Sequence, residues 1–232
     1  MASLVRVPRC PSGRYERDAH KSGYALVAGV DEAGRGSLFG PVFAAAVMLS
    51  PVRMIRGLRD SKQIPKEIRE RLAPRIQARA VAWAVAAADS NEIDRVNILQ
   101  ASRLAMRRAV EQLQPAPDFL LVDAVRIDLP VPQRPLIHGD ARSSAIAAAS
   151  ILAKVHRDAC LDRWDAIYPE YGLAHNKGYP TPDHLEALAT HGPTPLHRFS
   201  FEPARRQSLF HALADAGLPE QVSLFDEVAA CR

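Results

Sequence analysis

Strand-like and helix-like stretches alternate along the chain once a basic N-terminal segment is passed. Ala25-Leu26-Val27-Ala28-Gly29-Val30 is a continuous apolar run bounded by glycine, the pattern of a buried strand, and a second run from Val42 to Leu49 follows the turn at Gly40-Pro41. The two predict a hairpin. Residues Pro65 to Arg79 carry Ile68, Leu72 and Ile76 at four-residue spacing with charge on the other face, hence an amphipathic helix opened by proline. Pro74 is expected to kink or shorten it. Val81-Ala82-Trp83-Ala84-Val85 suits a third strand, and Ile98 to Leu113 a second helix with Ile98, Ala101, Leu104, Ala105 and Leu113 near one face. Phe119-Leu120-Leu121-Val122 reads as a short buried strand ending at Asp123. The proline-punctuated stretch from Pro130 to Pro135 then leads to a last strand at Leu136-Ile137 and on to Asp140. A long alanine-rich helix is predicted from Ser143 to about Ile167, with smaller helices at Pro182 to Thr190 and near Arg205 to Ala216. This order indicates an α/β domain: a mixed β-sheet flanked by helices, with a small helical C-terminal region.

The acidic residues fall at telling places in that pattern. Asp31, Glu32, Asp123 and Asp140 each follow an apolar or small stretch that reads as a strand or its exit. Any one of them alone is ordinarily a cap or turn residue, and Asp140 could cap the helix starting at Ser143. Brought together by neighbouring strands, the four would repel one another unless cations joined them, and hard oxygen ligands select Mg²⁺ or Mn²⁺. Two such ions suit hydrolysis of a phosphodiester. Directly behind the first pair comes Gly34-Arg35-Gly36, whose glycines let backbone groups approach a sugar-phosphate without Cβ obstruction. Asp60-Ser61-Lys62 precedes a helix, where a cap is expected, yet Lys62 could reach a phosphate.

Composition narrows the setting. With 232 residues and 47% hydrophobic content the chain can bury one substantial core, read as a domain over 24–216 between a flexible basic arm at 1–23 and a mobile tail at 217–232. No apolar run approaches the roughly 18 residues needed to span a bilayer. The formal charge of +4 suits a polyanionic partner, although the arginine-rich balance partly mirrors a coding bias that also enriches alanine. Three scattered cysteines, Cys10, Cys160 and Cys231, point to a reducing compartment, hence the cytoplasm.

From about Ala28 to Arg205 the chain resembles the bacterial ribonuclease HII family. The likeness runs through Gly29 to Gly36, Asp60-Ser61-Lys62, Val122-Asp123, Gly139-Asp140, Ala147 to Val155, Arg157-Asp158 and His175-Asn176-Lys177-Gly178-Tyr179. It implies a ribonuclease H-like fold, two Mg²⁺ or Mn²⁺ ions on Asp31, Glu32, Asp123 and Asp140, and cleavage of RNA in RNA–DNA hybrids. It also implies cutting 5′ of single ribonucleotides embedded in duplex DNA, with 3′-hydroxyl and 5′-phosphate ends. Gly34, Arg35 and Gly36 resemble the element that recognises the ribonucleotide 2′-hydroxyl, and Tyr179 the tyrosine that stacks on the sugar after it. Three positions depart from the family's habit: Arg142 for lysine, Ala124 for glycine, and Phe39 where a small residue is usual. The helix face Lys154, Arg157 and Asp158 invites a functional reading, but Asp158 beside Arg157 could equally well make an ordinary surface pair or cap contact and is left outside the catalytic set. His175, His184 and His197 crowd the region of Tyr179, where a loop or surface state is expected for each.

In the tail, Gln221-Val222-Ser223-Leu224-Phe225 resembles the peptide by which bacterial repair proteins dock on the sliding clamp, with Leu224 and Phe225 as apolar anchors and Gln221 making polar contacts. The rival is that Leu224 and Phe225 fold back on their own domain. For the whole chain the rivals are a DNA-directed nuclease or integrase-like enzyme of the same fold, and a non-catalytic duplex-binding protein. The four carboxylates speak against the last, since an inert binder gains nothing from negative charge facing phosphates.

Overall fold

A computed structural model describes residues 11–53, 55–59 and 61–215, with side chains for all of these except 62 and 209–215. Asp60, the side chain of Lys62, and Gln221, Leu224 and Phe225 therefore lie outside the described residues. Five strands form one mixed sheet in the order β3-β2-β1-β4-β5. β1 (Val27–Ala33) and β2 (Val42–Leu49) make the predicted antiparallel hairpin, and β3 (Ala80–Ala88) extends it antiparallel to β2. β4 (Phe119–Asp123) runs parallel to β1, and β5 (Gln133–Leu136) parallel to β4.

Strand alternation supplies both faces with apolar side chains. Ala28, Val30, Leu120 and Val122 join Met106, Ala109 and Val110 of α4 (Ile98–Glu111) on one face. On the other, Ala45 and Val47 meet α5 (Ser144–Asp165) and α2 (Lys66–Arg79) through Leu72, Ile76, Ala148 and Ile151. The alanines of α5 matter because its first turn lies almost on β1. A Cβ at Gly29 would fall 2.6 Å from that of Ala145 and still closer to the Ala145 backbone, so no other residue fits there.

Several predicted boundaries move. β1 continues through Asp31 and Glu32, which pair with Ala45 and Ala44, because the ladder to β2 extends past the apolar run. α2 runs through Pro74, which sits on the solvent side while Leu72, Ala73 and Ile76 are buried around it. β5 lies earlier than Leu136-Ile137 and contains Pro135, tolerated because β5 is an edge strand. α3 (Ser90–Val96), missed by periodicity, starts at a capping box in which Asp89 and Glu92 bond each other's backbone N–H.

The flexible arm expected over 1–23 is corrected where it is described. Arg14–Lys21 forms α1, whose Ala19 is buried with Val27, Leu121 and Ile146. Glu16 accepts hydrogen bonds from Ser143 Oγ (2.7 Å) and Ala145 N (2.8 Å), tying α1 to the start of α5. At the other end α6 (Leu173–Asn176), α7 (Pro182–His191) and α8 (Glu202–Asp215) form the helical C-terminal region. Among the described residues no helix is long and apolar enough to cross a membrane.

Candidate active site

Parallel pairing of β1 with β4 in the register Val30↔Val122 places Asp31 and Asp123 side by side at the same sheet edge. Alternation puts both on the α5 face, since Gly29 abuts Ala145 and Leu121 packs on Ile146. Asp31 is only 5% exposed. Burial, then the negative charges of Glu32 and Asp123, push its carboxyl well above the ordinary range, against hydrogen bonds from Ser150 and from Glu32 N at 2.7 Å. Ser150 also shares a 2.8 Å hydrogen bond with Ser61, so α5 and the turn at Ser61–Gln63 brace Asp31 from below.

Asp123 accepts a 2.7 Å bond from Gly139 N, which draws the turn Gly139–Ala141, and with it Asp140, toward the strand ends. The cap of α5 is Ser143, whose Oγ accepts from Ile146 N, while Asp140 accepts from Ala141 N within its own turn. Glu32 follows Asp31 in a regular strand and so belongs to the opposite face, where its carboxylate lies 3.5 Å from Arg35 Nη1. Among the described residues no three or more His, Cys, Asp or Glu side chains are arranged to hold one ion as they stand. The donor set nevertheless fits a hard divalent cation: all four groups are carboxylates, and the mutual repulsion felt at Asp31 is what such a charge relieves.

The glycine loop starts where β1 ends. Gly34 has φ +97°, the left-handed region, and its bare Cα rests against Arg157 of α5. Loop 34–39 is zipped to the segment carrying Tyr179, with Leu38 N donating to Gly178 O (2.7 Å) and Ser37 Oγ to the same oxygen (3.0 Å). A Cβ at Gly36 would lie 3.7 Å from Tyr179 Cε1. Gly34, Arg35, Gly36 and the half-exposed Tyr179, separated by over 140 positions in sequence, thus share one surface. Lys62 has its backbone in the turn behind Asp31. Phe39 does not crowd the loop: it is fully buried, edge-on to His197 at 4.9 Å. Ala124 adopts φ +53°, a left-handed conformation that explains why glycine suits this position. Arg142 lies over the Tyr15 ring of α1 at 5.0 Å.

Sequence reasoning missed the groups beneath this surface. Asp158 is no surface residue: it is buried and paired with Lys154 (2.7 Å) and Arg69 (3.7 Å). Arg198, fully buried, donates to Arg35 O and Gly40 O, both at 2.9 Å, holding the loop by its backbone. His184 and His197, expected on the surface, are fully buried with their Nε2 atoms 3.2 Å apart, whereas His175 is exposed. The spacing Ser150, Lys154, Arg157 and Asp158 on one helix face was the available signal for the first of these.

The sequence model of the family described as Ribonuclease HII matches residues 28–204. Ribonuclease HII of Solibacter usitatus (strain Ellin6076) is 60% identical over 215 residues, covering 93% of this chain and 92% of its own. The crystal structure of the ribonuclease H2 from Pyrococcus horikoshii OT3 superposes with a TM-score of 0.68 at 27% identity, over 80% of this chain and 98% of that one. The structure of the PCNA:RNase HII complex from Archaeoglobus fulgidus gives 0.66 at 24% identity, over 78% of this chain and 96% of that one, a likeness of fold alone.

Proposed function

The chain belongs to the ribonuclease HII family, and we propose that it cleaves the RNA strand of RNA–DNA hybrids and cuts 5′ of single ribonucleotides in duplex DNA, leaving 3′-hydroxyl and 5′-phosphate ends. It is a ribonuclease H enzyme with the ribonuclease H fold. One observation carries the finer reading. β1 delivers two carboxylates and leads directly into the loop Gly34-Arg35-Gly36, which packs beside Tyr179, so two of the carboxylates and the loop adjoin along the chain.

Asp31, Glu32, Asp123 and Asp140 would hold Mn²⁺ or Mg²⁺, two ions in this reading. When bound, such ions supply Lewis-acid stabilisation of a phosphodiester under attack. The protein's own contribution is placement. Ser150 and the Glu32 backbone orient Asp31, and Gly139 orients Asp123, so both carboxylates are held at the strand ends where a cation would bind. Gly34, by its positive φ, lets the loop turn over Arg157, and Gly36 leaves the backbone bare on the Tyr179 side, where a 2′-hydroxyl can exchange hydrogen bonds that deoxyribose lacks. Tyr179, 36% exposed, offers a ring face to the next sugar, and Arg35 sets positive charge beside the phosphate path.

A duplex holding one ribonucleotide, an all-DNA duplex and a continuous hybrid, each incubated with Mg²⁺ or Mn²⁺ and then with chelator, test the reading. Cutting confined to the ribonucleotide-containing duplexes and abolished by chelator is expected; cutting of the all-DNA duplex, or cutting that persists in chelator, refutes it. As to partners, the fold neighbour from Archaeoglobus fulgidus was solved with PCNA, which supports the proposal that Gln221, Leu224 and Phe225 dock on a sliding clamp. Scattered cysteines, with Cys160 a free thiol, support a cytoplasmic setting.

A further inference from the structure

Arg157 is 1% exposed, yet it makes three contacts that all lead to the glycine loop and Tyr179. Its side chain lies flat under Gly34, so that a Cβ there would fall 2.6 Å from Arg157 Cδ and 2.9 Å from Cζ. Nη2 donates a 2.7 Å hydrogen bond to Lys177 O, in the segment zipped to loop 34–39. The guanidinium carbon stands 5.3 Å from the centre of the Tyr179 ring, within cation–π range.

A role in packing or ion pairing does not account for this residue. Nε and Nη1 are buried without hydrogen-bond partners, an arrangement that stability alone disfavours. Its neighbouring carboxylate, Asp158, is 3.8 Å away and engaged more closely by Lys154 at 2.7 Å. What the planar group does accomplish is to fix one distance, from the Cα of Gly34 to the ring of Tyr179, with a rigid spacer held at the far end by Lys177 O.

We propose that Arg157 is a positioning residue for ribonucleotide selectivity: it sets the gap between the Gly34–Gly36 loop and Tyr179, so that the 2′-hydroxyl and the sugar following it are read together. The assignment rests on the function proposed above. Leu38 N and Ser37 Oγ tie the far end of the loop to Gly178 O and Arg198 grips it through Arg35 O, while Arg157 is the side chain that stands between Gly34 and the Tyr179 ring.

The two substrates differ at the sugar that Tyr179 meets, because only an embedded ribonucleotide is followed by deoxyribose. Arg157→Lys keeps the charge but loses the flat spacer. Its kcat/KM on the single-ribonucleotide duplex falls about tenfold or more, while that on a continuous hybrid falls less than about threefold and the Mn²⁺ concentration for half-activation stays put. In a Tyr179→Ala background the same substitution changes the substrate ratio less than about twofold, because the residue it acts through is gone. Arg157→Met, which leaves no charge to bury, gives the same change of ratio and serves if the lysine form does not fold. An equal loss on both substrates, or an undiminished Arg157→Lys effect in the Tyr179→Ala background, overturns the assignment while the proposed function stands. Wild-type protein that cleaves neither duplex overturns both.

Discussion

Replacing Gly34 by alanine tests the link between the loop and α5 most directly, because two independent penalties meet at one atom. The backbone there has φ +97°, where an L side chain is strained by roughly 1–2 kcal/mol. The added methyl would also lie 2.6 Å from Arg157 Cδ. That arginine is 1% exposed and held to Lys177 O at 2.7 Å, so it cannot swing aside without breaking a charged hydrogen bond. Overpacking of this kind costs about 1–3 kcal/mol. The sum, roughly 2–5 kcal/mol, is a large part of the 5–15 kcal/mol that holds a typical domain together. Tm should fall by roughly 5–15 °C.

Gly36→Ala is the internal comparison. Its methyl would meet only Tyr179 Cε1 at 3.7 Å, an ordinary contact, and Gly36 is not among the glycines with positive φ. Stability should stay within about 0.5 kcal/mol of wild type, while cleavage of a single-ribonucleotide duplex should fall if, as proposed above, the sugar approaches at this loop. Urea denaturation followed by circular dichroism, beside cleavage at saturating Mn²⁺, reads both effects. A Gly34→Ala protein melting within about 2 °C of wild type, or two variants equal in stability, would refute the reasoning.

Asp123→Asn should lose most turnover and keep its fold, since Asn Oδ1 can still accept from Gly139 N; near-wild-type cleavage sinks the assignment. Gly29→Ala should prevent folding, because its methyl would land on the α5 backbone; a cooperative melt at the wild-type temperature contradicts the packing. Ala124→Gly should stabilise by roughly 0.5–1 kcal/mol by relieving φ +53°, read as a raised urea midpoint, and an unchanged or lowered one counts against it. His197 gives a pH dependence: burial, then the nearby His184, hold it down at about 3, so the unfolded chain takes up a proton near pH 6.5 and the folded chain does not. Its contribution is intact above that pH and declines below it by up to ~1.4 kcal/mol per unit. His197→Asn isolates this from Asp31, whose raised carboxyl acts in the opposite direction; equal pH slopes in variant and wild type from 6.5 to 5 dismiss the idea. Deleting residues 221–232 should abolish capture on immobilised clamp, and retained capture ends that proposal.

Much of the fold was legible because burial writes a period into the sequence. The hairpin, the short strand ending at Asp123 and the alanine-rich helix emerged near their actual places. Errors came where local rules met tertiary support. Pro74 stays in a helix because Leu72, Ala73 and Ile76 anchor both sides of it, and α1 forms because Ala19 and Glu16 find partners on distant elements. The histidines were misplaced for the same reason, since nothing local to His184 or His197 says that each will bury the other.

By itself the sequence determined which carboxylates, glycines and tyrosine are available, and at which element ends they lie, because strand and helix periods are set by neighbours a few residues away. Only the tertiary structure decided that β1 pairs in parallel with β4, which makes Asp31 and Asp123 adjacent, and that Arg157 and Arg198 hold the glycine loop beside Tyr179. Those contacts join residues as far as 163 positions apart. Their geometry follows from how the sheet and α5 pack as wholes, a property that no short window of sequence contains.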